Sequence, residues 1–156
     1  MRRLIATFLL LFLSFVSAPH CMALDNNGRS DEITLEQIGG MINVRRRLVL
    51  KQDETFTFTE YLGDCEWTYY KGKIGGFNDL YAFIEANGFF KMKESYSAQL
   101  EDAGCVIVTV IHGSSQRRVE DCGGAGPVEL WGIERAIWGM VSPYEWIKVK
   151  ERNSIK

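Results

Sequence analysis

Apolar and polar residues alternate along much of the first half of this chain, which is the pattern of half-buried β-strands. The clearest run covers residues 55–59, where Phe56 and Phe58 alternate with threonines. Residues 33–37 also alternate, residues 44–50 form a run with an apolar end, and residues 65–70 are rich in aromatic side chains. Glycines or polar turn pairs such as Gln52-Asp53 and Gly63-Asp64 separate these runs. The pattern predicts four strands connected as a β-meander.

The periodicity changes after Gly75-Gly76. Apolar residues then recur three and four positions apart, on one face of a helix: Phe77, Leu80, Tyr81 and Ile84. Asn87-Gly88 is typical of a helix end, and Phe89-Phe90 is expected to dock on the core. Residues 92–104 are predicted to form an irregular polar connection.

Alternating valines between residues 106 and 110 predict a fifth strand, and residues 115–122 return as a sixth across the turn Gly113-Ser114. A second helix is predicted to begin at Pro127 and to stop at Pro143, with Trp146-Ile147 packing the tail. Its apolar stripe comprises Leu130, Ile133, Ile137 and Met140 or Val141. The order β-β-β-β-α-β-β-α predicts an α+β fold: an antiparallel sheet with two helices on one face.

The N-terminus has the composition of a signal peptide. Arg2 and Arg3 precede an unbroken apolar run over residues 4–16, and Cys21-Met22-Ala23 supplies small residues for cleavage. We therefore expect export to the periplasm or the medium and cleavage after Ala23; His20 argues against a lipoprotein cysteine at position 21. The predicted organisation is signal peptide 1–23, flexible arm 24–32, single domain 33–150 and tail 151–156.

Charge narrows the possible partners. The chain has 18 basic and 20 acidic residues, and loss of Arg2 and Arg3 with the signal peptide leaves 16 basic residues. The resulting negative balance argues against binding to nucleic acid or to an anionic membrane, because both require a basic surface. No later run reaches the ~18 apolar residues of a membrane-spanning helix, so we expect no span once the signal is removed.

The cysteines predict one cross-link. A two-residue loop at Gly113-Ser114 places Cys105 directly opposite Cys122 on the neighbouring strand, on its solvent side. An oxidising compartment would allow this disulfide to form. The alternative is a bulge that shifts the register and leaves two unrelated cysteines. Cys65 remains as a half-buried thiol and is less well suited to be a nucleophile.

The sequence contains no complete catalytic set. His112 lies beside a hairpin turn, no cysteine or histidine spacing fits a metal, no nucleophile elbow occurs, and no cofactor is predicted. The segment 123–126, Gly-Gly-Ala-Gly, could hold an anion at the start of the second helix, although a plain turn explains it more simply. Asp121 faces Val106 on the valine side, where Arg117 or a backbone N–H must satisfy it.

Trp131, Arg135 and Trp138 lie on one side of the second helix. At the edge of the core they would be buried; if exposed, they would form a binding platform. We therefore expect a non-enzymatic module that binds an unknown protein or envelope component. The alternative is a small periplasmic hydrolase that uses Asp102 and Asp121 with His112.

Several short segments, in this order, resemble a bacterial exported family known only as domain of unknown function 6438. They are Ile33-Thr34-Leu35-Glu36, Ala86-Asn87-Gly88-Phe89-Phe90, the Val106–Val110 strand, Gly123-Gly124-Ala125-Gly126-Pro127 with Glu129-Leu130 and Ile133-Glu134, and Trp146-Ile147. Members of that family usually carry a Gly-Cys-x-Gly-x-Cys-Pro segment after the first strand, and residues 39–45 here lack both cysteines. The resemblance implies export and a small α+β domain, but no established activity and no functional residue.

Overall fold

The computed structural model describes residues 31–39, 44–62, 65–100, 103–142 and 146–151; the side chains of residues 62, 65–68 and 151 are not described. The strands are β1 (Glu32–Gly39), β2 (Val44–Lys51), β3 (Thr55–Leu62), β4 (Cys65–Lys73), β5 (Ser95–Ser97), β6 (Cys105–His112), β7 (Ser115–Cys122) and β8 (Ile147–Glu151). The helices are α1 (Phe77–Ala86) and α2 (Val128–Gly139), and a short 3₁₀ helix covers Phe89–Lys91.

All eight strands form one sheet in the order β5-β7-β6-β1-β2-β3-β4-β8, antiparallel except between β5 and β7. The predicted α+β fold is confirmed, including the meander β1–β4 and the hairpin β6–β7. The two edge strands were not predicted: β5 lies in the segment expected to be irregular, and β8 in the segment expected only to pack as a tail. Both are short, and their pairing partners lie far away in the sequence.

β1 lies in the middle of the sheet because it pairs with β2 on one side and with β6 on the other. Its first residue is Glu32, and Asp31 directly before it also has a defined place, so the fold begins earlier than the predicted arm 24–32 allows. The predicted signal peptide, the arm up to residue 30, the turn Gly63-Asp64, Pro143 and the tail after residue 151 lie outside the described residues.

Both helices pack on one face of the sheet, which we call the core face. The helices contribute Phe77, Leu80, Ile84, Leu130, Ile133 and Ile137 to the core, all at most 4% exposed. From the sheet come Ile33, Leu35, Leu48, Leu50, Phe56, Phe58, Val108, Val110 and Val119. Burial of one such side chain stabilises a fold by about 1.5–3 kcal/mol, so this layer holds the helices in place. Of the pair predicted to dock on the core, Phe89 is fully buried, whereas Phe90 is 38% exposed.

The ends of the helices differ slightly from expectation. Asn87 ends α1, and its side-chain amide donates to the Phe83 carbonyl at 2.8 Å. Pro127 is the residue before α2 and has an extended conformation, so the helix starts one position later than predicted. No helix in the described ranges is long and apolar enough to cross a membrane.

The opposite face of the sheet, the outer face, carries neither of the two described helices and is rich in charged side chains. Glu36 lies between Arg45 and Arg47, with nitrogen–oxygen distances of 3.3 Å to each. Arg46, on the other face, pairs with Glu60 at 2.7 Å. The arginine run of β2 is therefore neutralised largely by its neighbours, and most charge on this part of the outer face is balanced.

Candidate functional site: the Trp131 surface

The predicted disulfide Cys105–Cys122 is present and joins β6 to β7. The hairpin keeps the predicted register along its whole length, from His112 opposite Ser115 to Cys105 opposite Cys122. The two Cα atoms are 4.0 Å apart. The bridge holds the end of β7, from which a glycine-rich loop leads into α2, and the Gly123 N–H donates to the Gly104 carbonyl at 3.0 Å just beyond it.

Asp121 organises that loop from beneath. Its side chain is only 3% exposed, and its Oδ1 accepts hydrogen bonds from the backbone N–H groups of Ala125 (2.7 Å) and Gly126 (2.9 Å). The backbone N–H groups, and not Arg117, satisfy this carboxylate; Arg117 pairs with Glu94. The loop therefore does bind an anion, but the anion is the carboxylate of its own chain.

The second oxygen of Asp121 fixes a tryptophan. Trp131 donates its indole N–H to Asp121 Oδ2 at 2.9 Å, and 43% of the residue remains exposed. An indole that is held at its polar edge and open to solvent elsewhere is a rigid apolar feature of the surface. The position of this ring is thus fixed by a contact within the chain itself.

Other exposed apolar groups border the same loop. Leu100 is 64% exposed and Val128, three residues before Trp131 on α2, is 69% exposed. A side chain at Gly123 would approach Leu100 Cδ1 to 3.5 Å, and one at Gly124 would approach Trp131 Cζ2 to 3.8 Å. Both glycines have positive φ, 74° and 69°, which other residues rarely adopt. We call the patch formed by Leu100, Gly123, Gly124, Val128 and Trp131 the Trp131 surface.

The three residues singled out on α2 do not share one environment. Trp138 is half-buried and packs its ring against Phe58, with centroids 5.7 Å apart. Arg135 is exposed on the same helix. The structure thus assigns Trp131 to the surface and Trp138 to the edge of the core.

Glu134 is a feature that sequence reasoning missed. It is half-buried one turn after Leu130, and its Oε1 has no hydrogen-bond partner. Burial, and secondly the charge of Asp121, raise the pKa of this carboxyl from 4.5 to about 7. The available signal was its position, directly after Ile133 on the apolar stripe, where a carboxylate is unusual.

His112 belongs to a different part of the molecule. Its Nδ1 lies 2.5 Å from Asp31 Oδ2, and Asp31 Oδ1 accepts the Gly113 N–H at 2.9 Å. Tyr81 packs against the imidazole with centroids 5.0 Å apart, at the edge of a cavity of 450 Å³. Sequence reasoning missed Asp31 because it was assigned to the arm.

Two residues of the hydrolase alternative, Asp121 and His112, lie far apart. Asp121 lies opposite Val106 at one end of the hairpin, and His112 lies at the other end, six residues or about 20 Å along the strand. Asp102 lies outside the described residues. Within the described ranges, the one cluster with three potential metal ligands is Cys105, Glu120 and Cys122, and its two sulfurs are bonded to each other.

Comparisons of this chain with protein-family models, with curated proteins and with solved structures give no match.

Proposed function

We propose that this chain is an exported, non-enzymatic module that binds a protein partner through the Trp131 surface. The observation that carries the proposal is the exposed indole of Trp131, held in place by the buried carboxylate of Asp121. Tryptophan is among the residues that most often dominate the free energy of protein association. A ring that is already fixed loses little conformational entropy on binding, which strengthens its contribution.

The patch has the anatomy of a small interface core. Val128, one turn before Trp131, and Leu100, next to Gly123, supply further exposed apolar area. The exposed backbone of Gly124, beside the ring, allows a partner to approach closely. Arg135, one turn after Trp131 on α2, is exposed and supplies a polar group at the edge of the patch. An apolar centre with a polar rim is typical of specific protein interfaces.

Export rests on the first residues and on the disulfide. The charged start, the apolar run and the small residues around Ala23 favour a signal peptide, and disulfides persist mainly outside the cytoplasm. The resemblance to domain of unknown function 6438 points the same way. Periplasm and medium are both compatible with this reasoning.

The test uses one variant and one matched control. The purified protein, immobilised, captures components of the envelope and culture fractions, and each captured protein is identified, purified and titrated against the module. We expect Trp131→Ala to weaken the identified complex at least thirtyfold, and Phe83→Ala, which removes an equally exposed ring from α1, to leave it unchanged. Equal affinity of wild type and Trp131→Ala for every purified component would refute the proposal.

A second candidate function, a hydrolase, is favoured by one observation: the short contact between Asp31 and His112. A carboxylate that holds Nδ1 leaves Nε2 free to accept a proton, which is the arrangement of a general base. If this pair is catalytic, the protein hydrolyses activated esters and His112→Gln abolishes the turnover. If the protein is a binding module instead, wild type and His112→Gln hydrolyse the ester at the same rate as buffer alone.

A further inference from the structure

A groove on the outer face, independent of the Trp131 surface, has the character of a ligand site. It has a volume of about 660 Å³ and lies over β3, β4 and β8. Thr57, Lys71 and Ile147 form one row across these three strands, since Thr57 pairs with Lys71 and Lys71 with Ile147. Cavities of this size accommodate small organic ligands.

The groove is apolar along its walls. Tyr69 is half-buried at one side, and Ile147 is 59% exposed on the edge strand β8. Its floor is thin at Gly72, because the ring of Phe56 on the core face occupies the space that a side chain at Gly72 would need. Trp146 packs edge-on against Phe56, with centroids 5.8 Å apart, so an indole lies just beneath the floor.

The groove also concentrates unbalanced positive charge. Lys71 and Lys73 are two residues apart on the same face of β4, both are exposed, and neither forms an ion pair with a described residue. Elsewhere on the outer face, Glu36 neutralises two arginines and Arg118 pairs with Glu120 at 3.0 Å. Asp53, an acid at the neighbouring turn, is engaged by Thr55 instead of a lysine of the groove: its Oδ1 accepts hydrogen bonds from the Thr55 backbone N–H and hydroxyl.

We propose that this groove binds a single-chain amphiphile with an acid group, a medium- or long-chain carboxylate. The chain lies along Tyr69, Thr57 and Ile147, and the carboxylate pairs with Lys71 and Lys73. A free acid fits better than an anionic bilayer, because stable attachment to a membrane requires a larger basic patch than two lysines.

The test is calorimetric titration of the purified protein with laurate below its micelle concentration. We expect saturable one-to-one binding that is accompanied by a change in tryptophan fluorescence. The double change Lys71→Glu with Lys73→Glu should reduce affinity at least tenfold. The matched control, Lys91→Glu with Lys93→Glu, changes two exposed lysines with the same spacing outside the groove and should leave affinity unaltered.

Shape and charge are separated by a second pair of variants. Thr57→Trp should fill the groove and block binding without altering charge, whereas Thr109→Trp, on the outer face of β6 and outside the groove, should leave binding intact. Circular dichroism and thermal unfolding establish that each variant folds; if Thr57→Trp does not, the lysine variants decide. The proposal is overturned if laurate does not bind, if both lysine pairs have equal effects, if dodecanol binds as tightly as laurate, or if vesicles of phosphatidylglycerol bind as tightly.

Discussion

The carboxylate of Asp121 and the indole of Trp131 are joined by a 2.9 Å hydrogen bond from Nε1 to Oδ2, while Oδ1 of the same carboxylate receives two backbone N–H groups of the preceding loop. One buried side chain therefore shapes both the loop and the ring beside it. This arrangement makes the Trp131 surface rigid, and it allows the roles of loop and ring to be separated by mutation.

Asp121→Asn should release Trp131 and keep the loop. The asparagine oxygen can still accept the Ala125 and Gly126 N–H groups, but its amide group would face the indole N–H, donor against donor. We expect Asp121→Asn to lower the free energy of unfolding by about 1–3 kcal/mol. We also expect it to weaken partner binding more than Trp131→Phe does, because phenylalanine keeps an aromatic ring at position 131 and has no N–H to oppose a donor. Asp121→Ala should destabilise the fold further, because the Ala125 and Gly126 N–H groups lose their acceptor as well. Chemical denaturation and tryptophan fluorescence anisotropy measure both effects; an unchanged anisotropy in Asp121→Asn would contradict the assignment.

Glu134 should make stability depend on pH near neutrality. Because the pKa in the folded protein, about 7, lies above the ordinary value of 4.5, the folded state binds this proton more tightly than the unfolded chain does. Its stabilising contribution is present below pH 4.5 and is lost as the pH rises through about 7. Glu134→Gln should therefore be more stable than wild type at pH 8, by about 1–2 kcal/mol for a half-exposed group, and equally stable at pH 4.

Urea denaturation at several pH values checks this dependence. Glu129→Gln, an exposed acid on the same helix, is the control and should follow the wild-type profile. A stability difference between wild type and Glu134→Gln that is constant from pH 4 to pH 8 would show that the carboxyl does not bind a proton preferentially in the folded state.

The disulfide should contribute measurably to stability. Cys105 and Cys122 are separated by 17 positions, and the chain-entropy model gives about 3 kcal/mol for a loop of this size. Replacing both cysteines with serine should lower the free energy of unfolding by about 3 kcal/mol. The m-value of denaturant unfolding should rise, because the unfolded chain without the bridge is more expanded. Peptide mapping without reduction should recover the two cysteines in one linked pair, and a link from Cys65 to either of them would contradict the structure.

Asp31→Asn should loosen the tip of the β6–β7 hairpin. The His112 ring loses its charged partner, and only one oxygen remains to serve both the ring and the Gly113 N–H. We expect a destabilisation of about 1–2 kcal/mol and faster amide exchange at Gly113, measured by NMR, with no change at Gly123 on the far end of the hairpin. Equal changes at both glycines would indicate general destabilisation.

Cleavage after Ala23 remains a prediction from the sequence. N-terminal sequencing of protein isolated from the envelope or the medium should begin at Leu24. Recovery of the chain from the cytosol with Met1 retained would contradict export and would also remove the argument for an oxidising compartment.

The resemblance to domain of unknown function 6438 likewise remains a prediction. It implied a small α+β domain, which the structure shows, but an α+β fold alone does not identify a family. The missing cysteine pair in residues 39–45 keeps any role of that pair from being transferred to this chain.

By itself, the sequence determined the features that depend on neighbouring residues. Alternation placed β1, β3 and β6, and the two-residue turn at Gly113-Ser114 placed β7 and set the register that brings Cys105 to Cys122. These inferences succeed because a tight turn and the two-residue period of a strand leave few alternatives.

Only the tertiary structure decided what meets across distance. The pairing of β1 with β6 brings Asp31 to His112. The packing of α2 directs Trp131 to Asp121 and leaves Trp138 against Phe58. The addition of β8 to β4 creates the groove beside Lys71. The sequence could not predict these contacts, because a carboxylate or an indole has several equally good local partners. Which one it meets depends on how the whole sheet and both helices close around a single core.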